Sequence, residues 1–190
     1  MTDNAADPTG VFITGPTGFG KTALAREFAA GARDSKAKVY VIDVVKGGSD
    51  FPDAAVVADL KDAVSTLRDA SSQFAPGDPI VLIFDELDAT LRREDRAAAA
   101  SDEDRRGIDR RNRQRDAVAD LIADSFVFGA KLGVFPVIVG QSVSGSPFIG
   151  RVQQASTGWA HFEFTSHGKG VLHTERGDEP FTFTPRSTAS

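Results

Sequence analysis

The 190-residue chain contains no cysteine and only one methionine, one tryptophan and one tyrosine. Without cysteine it can form neither a disulfide bond nor a thiolate metal site. It also lacks the run of about 20 apolar residues that a membrane-spanning helix needs, and residues 1–9 lack the basic start and apolar centre of a signal peptide. These absences predict a cytoplasmic protein with no membrane span.

The composition is that of an ordinary globular protein, with 41% hydrophobic and 26% charged residues. We expect a flexible leader over residues 1–9 and a single domain over residues 10–190. The net charge of -5 argues against a broadly basic surface for nucleic acid, although one locally charged loop could still bind it.

A glycine-rich stretch, GPTGFGKT, follows the first apolar run and has the spacing of a Walker A phosphate-binding loop. The backbone N–H groups of such a loop can converge on phosphate oxygens, and the helix that begins at Lys21 adds its positive end. Lys21 is expected to reach the β- and γ-phosphates of a nucleotide, and the Thr22 hydroxyl to bind Mg²⁺. The loop alone does not separate ATP from GTP. The predicted nucleotide-binding residues are Gly15, Pro16, Thr17, Gly18, Phe19, Gly20, Lys21 and Thr22.

A second apolar run, IVLIF, ends in an acidic pair. Asp85 is placed to hold Mg²⁺, and Glu86 is the natural general base for an attacking water. The alternative for Glu86 is a carboxylate that caps the next helix, where the macrodipole favours negative charge. Gln141 ends the following apolar run and could contact both the γ-phosphate and the lytic water, although taken alone it is equally well explained as a turn residue.

Apolar strands alternate with helical patterns up to residue 142, which predicts an α/β fold with a parallel sheet covered on both faces. The predicted strands are residues 11–14, 38–45, 80–86 and 133–142, and a helix is predicted over residues 57–74 through Leu60, Val64, Leu67 and Phe74. Pro136 removes a ladder donor from the last of these strands. WAHFEF, GVLHT and PFTFTP alternate at period two and predict short antiparallel strands at one edge.

Residues 92–116 contain nine arginines and seven acidic residues. Such dense mixed charge cannot enter a core, so this stretch is predicted to be an exposed helix or a disordered insertion. A solvated face with arginine–carboxylate pairs is the simpler interpretation. The functional alternative is an element that contacts DNA phosphates or a neighbouring subunit.

The chain has three histidines, and all of them fall near the C-terminus with Glu163. Because His161, His167 and His173 lie in alternating strands or a glycine turn, we interpret them as ordinary strand and turn residues and not as a metal site.

Taken in order, GPTGFGKT, YVIDVVKGG, IVLIFDELDATL and FGAKLGVFPVIVGQS resemble the motor domain of FtsK/SpoIIIE-type translocases, within the FtsK/HerA group of P-loop ATPases. Asp43, Lys46 and the glycines after them mirror the Asp-Pro-Lys signature of that family, and Gln141 falls on its sensor glutamine. The resemblance covers roughly residues 11–142. It implies a fold of the additional-strand (ASCE, RecA-like) class, in which another strand separates the Walker A and Walker B strands.

The same resemblance implies an ATP hydrolase that uses Mg²⁺ and moves double-stranded DNA as a homo-oligomeric ring, usually a hexamer. Such rings complete each site with an arginine from the neighbouring subunit. The candidates for that arginine are Arg105, Arg106, Arg110, Arg111 and Arg151. The chain departs from the family at Val44 and Val45, where a proline usually precedes the lysine, and in VGQS, which replaces the usual Ala-Thr-Gln-Arg-Pro run.

Two other functions use the same loop. A small-molecule or nucleoside kinase needs an acceptor site and a lid, whereas a nucleotide-dependent assembly switch hydrolyses slowly and acts on a protein partner. Phe19, where the family often has a small residue, is expected to be exposed beside the nucleotide and to pack on a base or a neighbouring subunit.

Overall fold

The computed structural model describes residues 8–52, 54–57, 59, 61–63, 65, 79–141 and 158–185, with the backbone alone at residues 98 and 125–132. The described strands are β1 (Gly10–Thr14), β2 (Lys38–Ile42), β3 (Ala55–Val57), β4 (Ile80–Phe84), β5 (Val134–Val139), β6 (Trp159–Ser166), β7 (Lys169–Thr174) and β8 (Gly177–Thr182). The described helices are α1 (Lys21–Asp34), α2 (Leu87–Thr90) and α3 (Asp102–Leu132), with a 3₁₀ helix at Arg96–Ala98. Residues 1–7 of the predicted leader, together with Leu60, Val64, Leu67 and Phe74 of the predicted second helix, lie outside the described residues.

One sheet joins these strands in the order β3-β2-β4-β5-β1-β6-β7-β8. All neighbours from β3 to β6 pair in parallel, and the two pairs formed by β6, β7 and β8 are antiparallel. β5 therefore separates β1, which leads into the glycine-rich loop, from β4, which leads into the acidic pair. This order confirms the predicted α/β fold of the additional-strand class with a small antiparallel C-terminal edge.

Helices cover the central strands from both sides. Every residue of β1 and β4 is buried. Leu24 and Ala29 of α1 pack on one face, and Val118 and Ile122 of α3 pack on the other. Burying each Val, Leu, Ile or Phe side chain fully contributes about 1.5–3 kcal/mol, so these two layers supply much of the folding free energy. Within the described part of the chain, no helix is long and apolar enough to cross a bilayer.

Pro136 lies in β5, in the middle of the sheet. A proline at such a position usually costs the sheet a backbone hydrogen bond, but Pro136 does not. Backbone N–H groups along a strand point alternately to its two neighbours. Gly140 donates to the Ile13 carbonyl of β1 at 3.0 Å, so the even-numbered positions of this segment face β1. Pairing with β1 begins only at Val137, opposite Val11. The missing N–H of Pro136 therefore points past the start of β1, where no ladder donor is needed.

The antiparallel edge is joined to the parallel part of the sheet through β6. Trp159–Ser166 runs antiparallel to β7, as predicted, and parallel to β1, from Trp159 opposite Gly10 to Glu163 opposite Thr14. The parallel pairing with β1 was not predicted, because alternation at period two shows which residues share a face but not which way a strand runs. β3 was not predicted, because three residues are too few to show alternation. Its last residue, Val57, was predicted as the start of the helix over residues 57–74, and that boundary is wrong.

Gly170 of β7 gives the first test of this packing. A Cβ at Gly170 would lie 2.0 Å from the Glu163 carbonyl oxygen and 2.7 Å from the Phe181 ring. We expect Gly170→Ala to lower the free energy of unfolding by about 1–3 kcal/mol, the typical cost of overpacking, as measured by urea denaturation.

Gly31→Ala is the matched control, since a Cβ at Gly31 of α1 would meet nothing within 4 Å. It should raise the free energy of unfolding by up to about 1 kcal/mol, because alanine has the higher helix propensity. Equal effects of the two substitutions would show that the β6–β7 contact does not restrict Gly170.

Candidate functional site

The carboxyl ends of the parallel strands meet at one edge of the sheet, where open α/β sheets bind their ligands. β1 leads there into the glycine-rich loop, in which Gly15, Gly18 and Gly20 have φ angles of 134°, 84° and 111°. Glycine adopts such positive values without a steric penalty. A Cβ at Gly15 would also stand 2.6 Å from the Phe164 carbonyl oxygen of β6. The loop can therefore follow this path only because glycines occupy these positions.

Lys21 begins α1 and turns back over the loop. Its Nζ donates to the Pro16 carbonyl at 2.9 Å. Burial lowers the pKa of Lys21, and the nearby carboxylates of Glu86 and Asp85 offset part of that effect. The ammonium group is thus held inside the loop, where a phosphate-binding loop needs positive charge.

Thr22 brings the loop and the end of β4 together. Its Oγ1 donates to the Asp85 carboxylate, whose two oxygens lie 3.2 and 3.4 Å away. A hydroxyl and a carboxylate are oxygen donors of the kind that Mg²⁺ prefers. The pair therefore suits a magnesium ion.

Asp85 is only 1% exposed. Burial raises the pKa of its carboxyl to about 6; the Glu86 backbone N–H, which donates at 3.0 Å, opposes this rise, and the nearby Asp43 and Glu86 carboxylates add to it. The positive charge of Lys46 lowers the pKa of Asp85 but does not cancel the effect of burial. A divalent cation at Asp85 would stabilise the ionised carboxylate further.

Glu86 has a left-handed backbone, with φ 51° and ψ 42°, which is uncommon for a residue other than glycine. It stands at the N-cap of α2, yet its side chain makes no capping hydrogen bond. Its Oε1 instead lies 3.3 Å from Lys46 Nζ, and its side chain is 28% exposed. The carboxylate of Glu86 is therefore paired with Lys46 and accessible to water, and both its role as general base and its alternative role at the helix N-terminus stay predictions.

The turn after β2 is organised by a buried carboxylate. β2 ends at Ile42 and does not continue to residue 45 as predicted, because Asp43 draws the backbone into a turn. The Asp43 carboxylate accepts the N–H groups of Val45 at 3.1 Å, Lys46 at 2.8 Å and Gly48 at 3.0 Å. Asp43 is wholly buried, so this turn has a fixed shape.

Lys46 is absent from the predicted set of site residues. The Asp43 turn places its Nζ 3.3 Å from a carboxylate oxygen of Asp50 and 3.3 Å from one of Glu86. Burial alone would lower the pKa of Lys46, but the hydrogen bonds to Asp50 and Glu86 raise it. In the sequence, only the spacing of Asp43 and Lys46 drew attention to Lys46. That spacing indicated a family resemblance, and it did not predict the contact with Glu86.

Gln141 follows β5 and joins two parts of the site through its backbone. Its carbonyl accepts the Gly15 N–H at 3.3 Å, and its own N–H donates to the Asp88 carboxylate. Asp88 of α2 is a second residue missing from the predicted set, since a lone carboxylate in a helix belongs to no motif. The role of the Gln141 carboxamide as a sensor stays a prediction.

The turn between β6 and β7 is hydrogen-bonded to the glycine-rich loop. His167 Nδ1 donates to the Gly18 carbonyl at 2.9 Å, and the Gly168 N–H donates to the Phe19 carbonyl at 3.0 Å. The Phe183 N–H in turn donates to the Gly168 carbonyl at 2.7 Å. Phe19 is half-buried against the apolar cluster on the α1 face. Its side chain is therefore partly covered by the protein itself, and its packing on a base or on a neighbouring subunit stays a prediction.

The other two histidines connect neighbouring strands. His161 Nε2 lies 2.7 Å from Thr14 Oγ1, and His173 lies 2.8 Å from Asp178 and 3.1 Å from Glu163. Burial lowers the pKa of His161, whereas the hydrogen bond to Asp178, followed by that to Glu163, raises the pKa of His173. Among the described residues, no three or more His, Asp or Glu side chains are grouped to hold a metal ion.

The charged stretch forms the loop after α2 and the first half of α3. Four of the candidates for the arginine that completes a neighbouring subunit's site lie in this stretch: Arg105, Arg106, Arg110 and Arg111. The fifth, Arg151, lies outside the described residues. Arg111 Nε donates to Glu94 at 2.7 Å, and Arg105 pairs with Asp102 at 3.1 Å. The other two are exposed.

Solved structures with the same fold include several nucleotide-dependent enzymes. The pCW3 conjugation coupling protein TcpA, in its monomer form with ATPγS, is 13% identical with a TM-score of 0.73, over 94% of this chain and 61% of that one. The cytoplasmic domain of the Thermomonospora curvata type VII secretion ATPase EccC is 15% identical with a TM-score of 0.66, over 96% and 24%. The genome packaging NTPase B204 from Sulfolobus turreted icosahedral virus 2 is 13% identical with a TM-score of 0.60, over 94% and 97%.

At these identities the likeness shows the fold alone. The chain spans about three fifths of TcpA and about a quarter of the EccC cytoplasmic domain. No curated protein sequence matches the chain significantly.

The profile of the ATPase family associated with various cellular activities (AAA) matches residues 11–122. The matched segment contains the glycine-rich loop, the Asp43 turn and the acidic pair. This match confirms the prediction of an ATP-hydrolysing enzyme. Because it extends over more than half of the sequence, the chain belongs to the AAA family of ATPases.

Proposed function

We propose that this ATPase is a motor of the FtsK/HerA type, which couples the hydrolysis of Mg·ATP to the movement of double-stranded DNA in a homo-oligomeric, hexameric ring. The sequence resemblance over residues 11–142 supports the finer placement. The descriptions of two similar structures agree with it, since TcpA is a conjugation coupling protein and B204 a genome packaging NTPase. Conjugation and genome packaging are both processes that move nucleic acid.

The contact between Thr22 and Asp85 is the observation on which the proposal depends most. It brings the phosphate-binding loop and the acidic end of β4 into one site, with Thr22 Oγ1 and Asp85 Oδ2 3.2 Å apart. Lys21 lies in the same loop and Glu86 directly follows Asp85. Phosphate binding, metal binding and water activation can therefore occur side by side.

In this proposal the backbone of residues 15–20 binds the triphosphate, and Lys21 pairs with its β- and γ-phosphates. Thr22 and Asp85 would hold Mg²⁺, which neutralises charge that develops on the phosphate oxygens. Gln141 would contact the γ-phosphate from the end of the neighbouring strand. Each of these groups lies at the same edge of the sheet.

Glu86 is the proposed general base, which orients the attacking water and takes its proton. Because Lys46 binds the Glu86 carboxylate at 3.3 Å, Lys46 must share or release it when water is bound. Lys46 also has Asp50 as a second partner, so the ammonium stays paired after it leaves Glu86.

A polypeptide is the competing substrate. EccC is described as a type VII secretion ATPase, and a structure of its second and third ATPase domains contains a signal sequence peptide. The kinase alternative has less support, since Glu86, a carboxylate that water can reach beside the metal site, suits water as the acceptor.

The proposal predicts that double-stranded DNA stimulates ATP hydrolysis several-fold. Glu86→Gln should lower kcat by about 100-fold or more, with or without DNA, because it removes the general base. It should leave nucleotide affinity nearly unchanged, since the loop is intact. Steady-state phosphate release and the binding of a fluorescent ATP analogue measure the two effects.

Glu179→Gln on the exposed strand β8 is the matched control, and it should behave as the wild type does. A wild-type rate that is indifferent to DNA but rises with an unfolded polypeptide would refute DNA as the substrate and support the secretion alternative. Loss of nucleotide binding in Glu86→Gln would mean that Glu86 belongs to the binding surface.

Asp85 predicts a pH dependence of stability in the absence of nucleotide and Mg²⁺. Its folded pKa of about 6 exceeds the usual 3.8, so between these values the folded state binds more protons than the unfolded state. Stability from this group therefore falls as pH rises from 3.8 to 6. Asp85→Asn should remove this loss and raise the free energy of unfolding at pH 7 by up to about 3 kcal/mol.

Urea unfolding at several pH values, with EDTA present, measures the difference between Asp85→Asn and the wild type. That difference should grow between pH 4 and pH 7. A difference that shrinks over this range would show that the Asp85 carboxylate is compensated by a positive charge in the folded protein.

A further inference from the structure

The first half of α3 projects beyond the edge of the sheet that carries the nucleotide site. Residues 133–140, which contain β5, span about 26 Å at roughly 3.3 Å per residue. α3 runs back from β5 and covers that length with about 17 residues at about 1.5 Å each. It has 31 residues, so its first 14 or so extend about 20 Å past the edge. We call residues 102–116 the arm.

One side of the arm is covered and neutralised by the segment before it. The ion pairs across this contact are Arg93–Asp116, Glu94–Arg111, Glu94–Arg115 and Arg96–Asp109. Asn112, which is 7% exposed, accepts the Glu94 N–H and donates to the Glu94 carbonyl, both at 3.0 Å. Residues 93–96 are therefore held along the arm.

The other side of the arm presents arginines without partners. Arg106, Arg110 and Arg113 are spaced i, i+4 and i+7, so they form one row along the helix. All three are exposed, and in the described part of the chain none has a carboxylate within salt-bridge distance, whereas five other arginines of this region do. Like charges at this spacing repel one another. An external anion would relieve that repulsion.

We propose that Arg106, Arg110 and Arg113, the arginine stripe, bind the phosphate backbone of double-stranded DNA. This inference rests on the proposed function and names the surface that holds the substrate. A neighbouring subunit's nucleotide needs a single arginine, whereas the stripe extends over about 10 Å. A duplex carries one negative charge for about every 1.7 Å of its axis, so a row of cations matches it. Phosphate contacts carry no sequence information, as suits a protein that moves along DNA.

The test is the affinity of the full chain for a fluorescein-labelled DNA duplex, measured by anisotropy with saturating Mg·ATPγS at about 50 to 200 mM salt. A variant that replaces all three stripe arginines with glutamine should bind at least about tenfold more weakly at 100 mM salt. The slope of log affinity against log salt should fall by about one unit for each arginine, about three in all. The control has the same net charge but changes exposed cations elsewhere, through Arg26→Gln, Lys61→Gln and Arg176→Gln.

The proposal is supported if the stripe variant loses affinity and salt slope and the control keeps both. It is overturned if the duplex binds and stimulates the wild type and the stripe variant equally, which leaves the DNA motor intact. A stripe variant with full duplex affinity and a reduced rate without DNA would instead assign these arginines to the neighbouring subunit's nucleotide. If the wild type binds no duplex at low salt, both the stripe and the DNA motor are refuted.

Discussion

A hydrogen bond between Thr22 and Asp85 joins segments that lie 63 residues apart, and the candidate site depends on it. The bond can form because β5 separates β1 from β4 while all three strands end at the same edge. The Asp85 carboxylate is nevertheless costly to bury, as its raised pKa shows. The apolar layers on both faces of the sheet offset that cost. The fold thus holds an unfavourable charge at the place where a nucleotide and its metal would compensate it.

The loop and the acidic pair could be read from the sequence because local spacing specifies them. Glycine spacing determines the path of a phosphate-binding loop, and a carboxylate after a buried strand must emerge at the sheet edge. Lys46 and Asp88 could not be read in this way. Lys46 reaches Glu86 only through the buried Asp43 turn, and Asp88 acts on the backbone at Gln141. Contacts of this kind depend on the tertiary fold and leave no periodic trace.

The same limit applies to strand direction and to the charged stretch. Alternation identified β6, but its parallel pairing with β1 follows from the order of strands in the sheet. Counting charges over residues 92–116 predicted arginine–carboxylate pairs, and the pairs exist. Only the packing of the segment before α3 shows which arginines form these ion pairs and which remain without a carboxylate partner in the described part of the chain. Helical spacing then places those remaining cations on a single row.

The turn between β6 and β7 makes the phosphate-binding loop and the C-terminal hairpin one mechanical unit. His167 and Gly168 hold the carbonyls of Gly18 and Phe19, and Phe183 ties Gly168 to the chain that follows β8. A nucleotide that reshapes the loop must therefore displace the hairpin or break these bonds. By linkage, any force that shifts the hairpin changes nucleotide affinity by the same free energy. The nucleotide state of the site can thus be sensed at the far edge of the sheet, and set from there.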